Sequence, residues 1–168
     1  MMLGRGLAVA AAVAVLDQAT KAMVLEFFGE SGCAVRSLAV SPFLDLVLTC
    51  NAGVSFGLLN RTGVHALIFS VAAVLIIGVM VFWLGRVRAN FLAVAIGLII
   101  GGAIGNVVDR LRFGAVIDFL YFHAGSWYWP AFNLADSAIC LGVAAMLLDG
   151  VLLRCAAPQA KGREDLSP

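Results

Sequence analysis

An unbroken apolar stretch from Val64 to Leu84 constrains this chain more than any other feature. It carries no Asp, Glu, Lys or Arg and reaches the ~20 residues a helix needs to cross a bilayer. Backbone polar groups in hydrocarbon must be satisfied within their own segment, so the stretch reads as a transmembrane helix. His65, at its mouth, reads as an interfacial residue rather than a ligand. Composition agrees: 62% of residues are hydrophobic and 12% charged, against ~45–50% and ~25% in soluble domains. The 168 residues suit one domain, here a single membrane domain over 1–168. A net charge of +1, with no Lys/Arg cluster interleaved with aromatics, gives no pointer to a nucleic-acid partner, and that class is set aside.

Three further apolar runs complete an α-helical integral membrane protein with four transmembrane helices, at about 7–28, 64–84, 91–108 and 132–153. The first resembles a signal peptide, with Arg5 as its basic flank, but it continues past Asp17, Gln18 and Lys21 without a cleavage site and reads as an uncleaved helix. Asp17 and Lys21 stand four apart and share a helix face. Segment 29–63 holds Gly, Ser, Pro and charges and leaves the hydrocarbon. Within it Phe43–Thr49 has strand composition, Asn51-Ala52-Gly53 reads as a turn, and Val54–Leu59 as a second strand or an interfacial piece. Together these predict a small extracytoplasmic β-sheet and loop subdomain lying on the membrane. The third span carries Gly97, Gly101 and Gly105 at a spacing that admits close helix packing. Asp109 continues the series, and Asn106 and Arg110 form a row beside it. Segment 109–131 is extracytoplasmic, and the aromatics from Tyr121 to Phe132 read as an interfacial belt. The fourth span holds Asn133 and Asp136 in its first turns, and residues 154–168 form a polar cytoplasmic tail.

Four spans put both termini on one side. With Lys21 and Arg110 set aside as partners of Asp17 and Asp109, that side holds six Lys/Arg and the other three. The positive-inside rule then places both termini in the cytoplasm and the polar groups of the acidic segments toward the outer face. Four cysteines show no metal-ligand spacing. Cys140 and Cys155 read as packing residues of the last span. Cys33 and Cys50 share one outer segment, where pairing and free thiols both remain open.

Ionisable groups at membrane depth are costly and each needs a reason. Lys21 accounts for Asp17, and Arg110 is adjacent to Asp109. Asp149 lies near the opposite face and Asp45 on a strand face open to water. Asp118 and Asp136 have no Lys or Arg within four residues. Brought together in a low-dielectric site, two such carboxylates share a proton and titrate as a unit. One can then deprotonate water while the other polarises a carbonyl and protonates a leaving amine. A serine mechanism is disfavoured, because neither His65 nor His123 is placed as a base for Ser55 or Ser137, and Asp17 holds Lys21 protonated. Paired membrane carboxylates also serve proton relays. Spacing alone therefore leaves open a small transporter, or a structural membrane subunit, beside hydrolysis.

Five motifs carry a resemblance. Asp17-Gln18-Ala19-Thr20-Lys21, Asn51-Ala52-Gly53-Val54-Ser55-Phe56-Gly57, Gly101 to Arg110 (GGAIGNVVDR), Val116-Ile117-Asp118-Phe119 and Phe132-Asn133-Leu134-Ala135-Asp136 appear in order within a four-span chain. From about Leu7 to Leu153 the sequence resembles the bacterial lipoprotein signal peptidase (signal peptidase II) family. The resemblance implies an aspartic endopeptidase of the bacterial inner membrane that cleaves a prolipoprotein just before its diacylglyceryl-modified cysteine. It implies Asp118 and Asp136 as the catalytic pair. By the same resemblance Asp17, Lys21, Asn51, Gly53, Asn106, Asp109, Arg110, Asn133 and Ala135 are expected as supporting or substrate-binding residues. No metal or cofactor is implied, and the expected partners are the prolipoprotein and membrane lipids, with a monomeric enzyme. Asn51 and Arg110 are expected on the substrate backbone, and Asn106 and Asn133 as orienting groups. The Asn51–Gly57 turn and the Tyr121–Phe132 loop are expected to close over the peptide as lids.

Overall fold

A computed structural model describes residues 2–52 and 64–156, the side chains of 64–65 and 151–156 excepted. The elements run α1 (Met2–Phe27), β1 (Arg36–Ser41), β2 (Leu44–Asn51), α2 (Val64–Leu84), α3 (Asn90–Phe113), β3 (Val116–Ala124), β4 (Trp127–Tyr128) and α4 (Leu134–Ala156). Gly53, Ser55, the Val54–Leu59 piece, Arg61, the His65 side chain and the tail beyond Ala156 lie outside the described residues. Among the described residues, three helices (α1, α2 and α3) are long and apolar enough to cross a membrane.

Helix α3 is the hub because its small residues let two neighbours approach. A Cβ on Gly97 would meet the Gly6 carbonyl of α1 at 2.5 Å, and one on Gly101 the Ala10 carbonyl at 2.5 Å. Gly105 faces Asp17 one turn further, so the predicted glycine ridge packs on α1. On its other flank Gly102 faces Ala135 and Ile139 of α4, while Gly142 of α4 sits against Ala95 and Ile99. A larger side chain at these positions would separate backbones that now touch. Helix α2 contributes Leu84 to the cluster of Ala10, Ala93, Ile96 and Ile100. It leaves Leu67, Leu75 and Val79 exposed, the pattern of a helix solvated by lipid.

Helix α3 runs beyond the expected span end at 108, through Asp109 and Arg110 to Phe113. There Gly114, at φ 73°, closes it with an N–H to the Arg110 carbonyl. Only a residue without a Cβ takes that left-handed conformation at little cost. The chain then enters a four-stranded sheet ordered β1-β2-β3-β4, antiparallel at every junction. Much of the expected Tyr121–Phe132 loop is therefore strand: Tyr121 to Ala124 belong to β3, and Trp127 and Tyr128 to β4. Leu48, Ile117 and Phe119 of the sheet bury against Val24 of α1, which docks the sheet on the helical end. The expected strand at Phe43–Thr49 is β2. The Cys33–Cys50 question is settled by a disulfide with a Cα separation of 5.7 Å. Cys140, expected in packing, is instead an exposed free cysteine on α4.

Candidate active site

Helix α1 supplies the buried ionic base of the site. Lys21 Nζ lies 2.8 Å from Asp17 and 2.7 Å from Asp109. All three are at most 2% exposed, so each charge depends on the others for compensation. This corrects the expected Asp109–Arg110 pairing. Neighbours in a helix point to different sides, and Arg110 instead reaches the Asn106 carbonyl at 3.3 Å and lies over the Phe69 ring of α2.

The two acids of the triad also anchor neighbouring elements. Asp17 accepts the Ala135 N–H of α4 at 3.0 Å, and Asp109 accepts the Ile117 N–H of β3 at 3.1 Å. Gln18 donates to Asp109 at 2.8 Å and to Asp17 at 3.3 Å, while Arg112 donates to the Gln18 oxygen. No role for Gln18 followed from its type. Its place in the Asp17–Lys21 motif, one turn before Lys21 on α1, was the available signal.

Asn133 precedes α4 rather than lying within it, and Asp136 is that helix's third residue. The Asp136 N–H donates to Asn133 Oδ1 at 3.0 Å, and the Asn133 N–H donates to Asp136 Oδ2 at 3.2 Å. This reciprocal pair is a capping box, and it fixes a carboxylate at the positive end of the helix dipole. The Asn133 amide points the other way and donates to Asp118 Oδ1 at 2.8 Å. One fully buried asparagine thus ties together carboxylates from β3 and α4. Asn106 donates to Asp136 Oδ1 at 2.8 Å and accepts from Lys21 and Asn133 at 3.4 Å each. Asn51, at the end of β2, donates to Asp118 Oδ2 at 3.1 Å.

The environments of the two acids differ. Asp118 is 1% exposed, whereas Asp136 is half-buried. Burial first, then the charge of Asp136, pushes the Asp118 carboxyl up from 3.8 to about 6. The donors Asn51 and Asn133 and the charge of Lys21 pull the other way. An apolar groove of about 280 Å³ between α2, α3 and α4 opens beside them, with Asn106 and Arg110 at its polar end and Phe69, Ile76 and Ile139 along its walls. Among the described residues no group of three or more His, Cys, Asp or Glu side chains is gathered as metal donors. Ser137 gives its hydroxyl to the Asn133 carbonyl, and His123 pairs with Asp45 at 3.1 Å on the sheet. Neither residue is arranged with the other as nucleophile and base.

The structure thus gathers Asp17, Lys21, Asn51, Asn106, Asp109, Asn133, Ala135, Asp118 and Asp136 in one hydrogen-bonded cluster, with Arg110 at its edge. Comparison with known proteins gives the cluster a context. Residues 9–152 match the family described as Signal peptidase (SPase) II. A lipoprotein signal peptidase of Azoarcus sp. is 51% identical over 145 residues, covering 84% of this chain and 79% of that protein. One from Methylorubrum extorquens is 42% identical over 148 residues, covering 87% and 85%. A solved bacterial membrane enzyme, determined by the in meso method, superposes with a TM-score of 0.73 at 26% identity, covering 94% of this chain and 93% of that one. Sequence and architecture converge, and the chain belongs to the signal peptidase II family of lipoprotein signal peptidases.

Proposed function

We propose that this protein is an intramembrane aspartic endopeptidase in which Asp118 and Asp136 together hydrolyse the peptide bond preceding a diacylglyceryl-modified cysteine. The observation that carries the reading is the Asn133 side chain, which holds Asp118 at 2.8 Å while its backbone and carbonyl oxygen cap onto Asp136. Two acids from separate segments, joined by one buried amide, are arranged to act as a pair.

Asp118, the more buried member, carries the shared proton. Asp136, at the α4 N-terminus and accepting from the Asn106 amide, serves as the base. Asp136 takes a proton from water as the water oxygen bonds to the scissile carbonyl carbon. Asp118 gives its proton to the carbonyl oxygen, so the intermediate is a neutral gem-diol. Collapse of the diol returns one hydroxyl proton to Asp118. Asp136 passes its proton to the amine as the C–N bond breaks, and both acids regain their starting states. Arg110, at the mouth of the groove, is positioned for a substrate carbonyl. The apolar walls suit an acyl chain or the apolar part of a signal peptide.

In this reading α4 is a fourth membrane span, the sheet lies on the outer surface, and both termini face the cytoplasm. The enzyme works as a monomer among membrane lipids. The site then sits just below the outer interface, where a lipid-anchored scissile bond and water meet. Strand β3 and its hairpin to β4 cover the peptide.

The test is incubation of the purified protein with a diacylglyceryl-modified prolipoprotein and with the same precursor bearing an unmodified cysteine. Mass spectrometry maps the broken bond. Cleavage directly before the modified cysteine, with the unmodified precursor left intact, is expected. Equal cleavage of both, or scission elsewhere, would overturn the substrate assignment.

A further inference from the structure

We infer that the Cys33–Cys50 disulfide is a positioning bond for Asn51, so that its oxidation state sets the activity of the site. Strand β2 ends at Asn51, and its last residues lie opposite the start of β3: Thr49 with Asp118, Cys50 with Ile117 and Asn51 with Val116. The ladder between β1 and β2 stops earlier, at the pair Arg36–Leu48. The end of β2 that carries Asn51 is thus held by β3 on one side, and on the other the disulfide takes over where β1 stops. That bond joins Cys50 to Cys33, in the segment between α1 and β1, across 17 residues.

The arrangement matters because donor and acceptor differ in setting. Asn51 is exposed, and Asp118, whose Oδ2 it reaches at 3.1 Å, is buried. An exposed side chain at a strand end holds such a bond only if its backbone is kept in place, and a covalent tie one residue away removes that backbone freedom. Cys33 is exposed and Cys50 half-buried, so the bond is within reach of thiols. A dithiol reductant would attack one sulfur, form a mixed disulfide and close to its own cyclic disulfide. Two electrons and two protons then convert the protein bond to two thiols. Strand β3 stays docked through Ile117 and Phe119, and the Asn51 end of β2 loses its covalent tie while keeping its ladder to β3. An oxidising exterior keeps the bond closed.

The inference rests on the reading that Asp118 is catalytic, and its test separates the two. The Cys140→Ser/Cys155→Ser protein retains only the pair in question. Its prolipoprotein cleavage is followed as a function of pH, oxidised and after dithiothreitol, beside Cys33→Ser/Cys50→Ser and Asn51→Ala. Losing one of the two side-chain amide donors that hold Asp118 lowers kcat on the order of tenfold. Because the Asn51 amide favours the ionised form of Asp118, its loss also moves the alkaline limb of the profile to higher pH. Reduction, the double serine variant and Asn51→Ala are each expected to show both changes, and reduction of Asn51→Ala to add nothing. Unfolding on reduction, a fall in Tm with no movement of the limb, or multiplying effects of reduction and Asn51→Ala would overturn the inference. An active, folded Asp118→Asn protein would instead overturn the catalytic reading. An inactive Asp118→Asn with an unresponsive disulfide would overturn this inference alone.

Discussion

Asn133 works in two directions at once: its amide nitrogen serves Asp118 while its oxygen and backbone N–H serve Asp136. Replacing it with alanine removes a helix cap, at about 1 kcal/mol, and leaves the buried Asp118 without its shortest donor. Asn133→Ala is therefore expected to retain its fold and to lose cleavage by well over tenfold, measured as kcat beside a melting curve. Asp118 supplies a second prediction. Its carboxyl is raised from 3.8 to about 6 in the fold, so the folded state holds the proton more tightly than the unfolded chain. Stability from this group is full below the unfolded value and falls as pH rises through about 6. Asp118→Asn lacks that slope. The Tm of the variant minus that of the native protein should thus widen from acid to neutral pH, and a constant difference would contradict the assignment. At this scale the acids were legible from their lack of local partners, and so was the Asp17–Lys21 pair at helical spacing. The Lys21–Asp109 contact joins residues far apart in sequence, and only the packing of α1 on α3 creates it. Adjacency made Arg110 look like the partner of Asp109, although successive helix residues diverge. The Asn133–Asp136 spacing is itself a capping signature, which the hydropathy reading of a span from Phe132 did not use.

Helix α3 positions the site because glycines on two of its faces bring α1 and α4 into backbone contact. A Cβ at Gly101 would sit 2.5 Å from the Ala10 carbonyl, so Gly101→Leu must push α1 outward and draw Asp17 and Lys21 away from Asp109. Overpacking of this kind costs about 1–3 kcal/mol. The expected result is a lower Tm in detergent together with lost cleavage, whereas Gly78→Leu on α2, where a Cβ meets nothing within 4 Å, leaves both unchanged. Lys21→Met is expected to be harsher. It leaves two buried carboxylates uncompensated, at about 3–5 kcal/mol, and should yield little folded protein. The helices were readable from apolar runs and the glycine ridge from its spacing. Strand β3 was not, because Val116 to Phe119 are all buried and show no alternation. Its pairing with β2 depends on a register slip between Leu46 and Thr49, which no local pattern announces. The disulfide is a tertiary fact of the same kind.

Across the whole molecule, the ionic base, the acid pair and the sheet stack at one end of the helices. The proposed orientation points that end outward. Ser126→Cys, in the exposed β3–β4 turn, should react with a membrane-impermeant maleimide on intact cells. Glu164→Cys should react only after permeabilisation, and the reverse pattern would invert the topology. The central claim is that Asp118 and Asp136 act together on the peptide bond, and one comparison tests it most directly. Cleavage of diacylglyceryl-modified prolipoprotein is measured for the native protein, Asp118→Asn, Asp136→Asn and Asp149→Asn, each with a melting curve. Loss of turnover in both pair variants while they remain folded, with Asp149→Asn fully active, is the predicted result. Full activity in a folded Asp118→Asn or Asp136→Asn protein would contradict it.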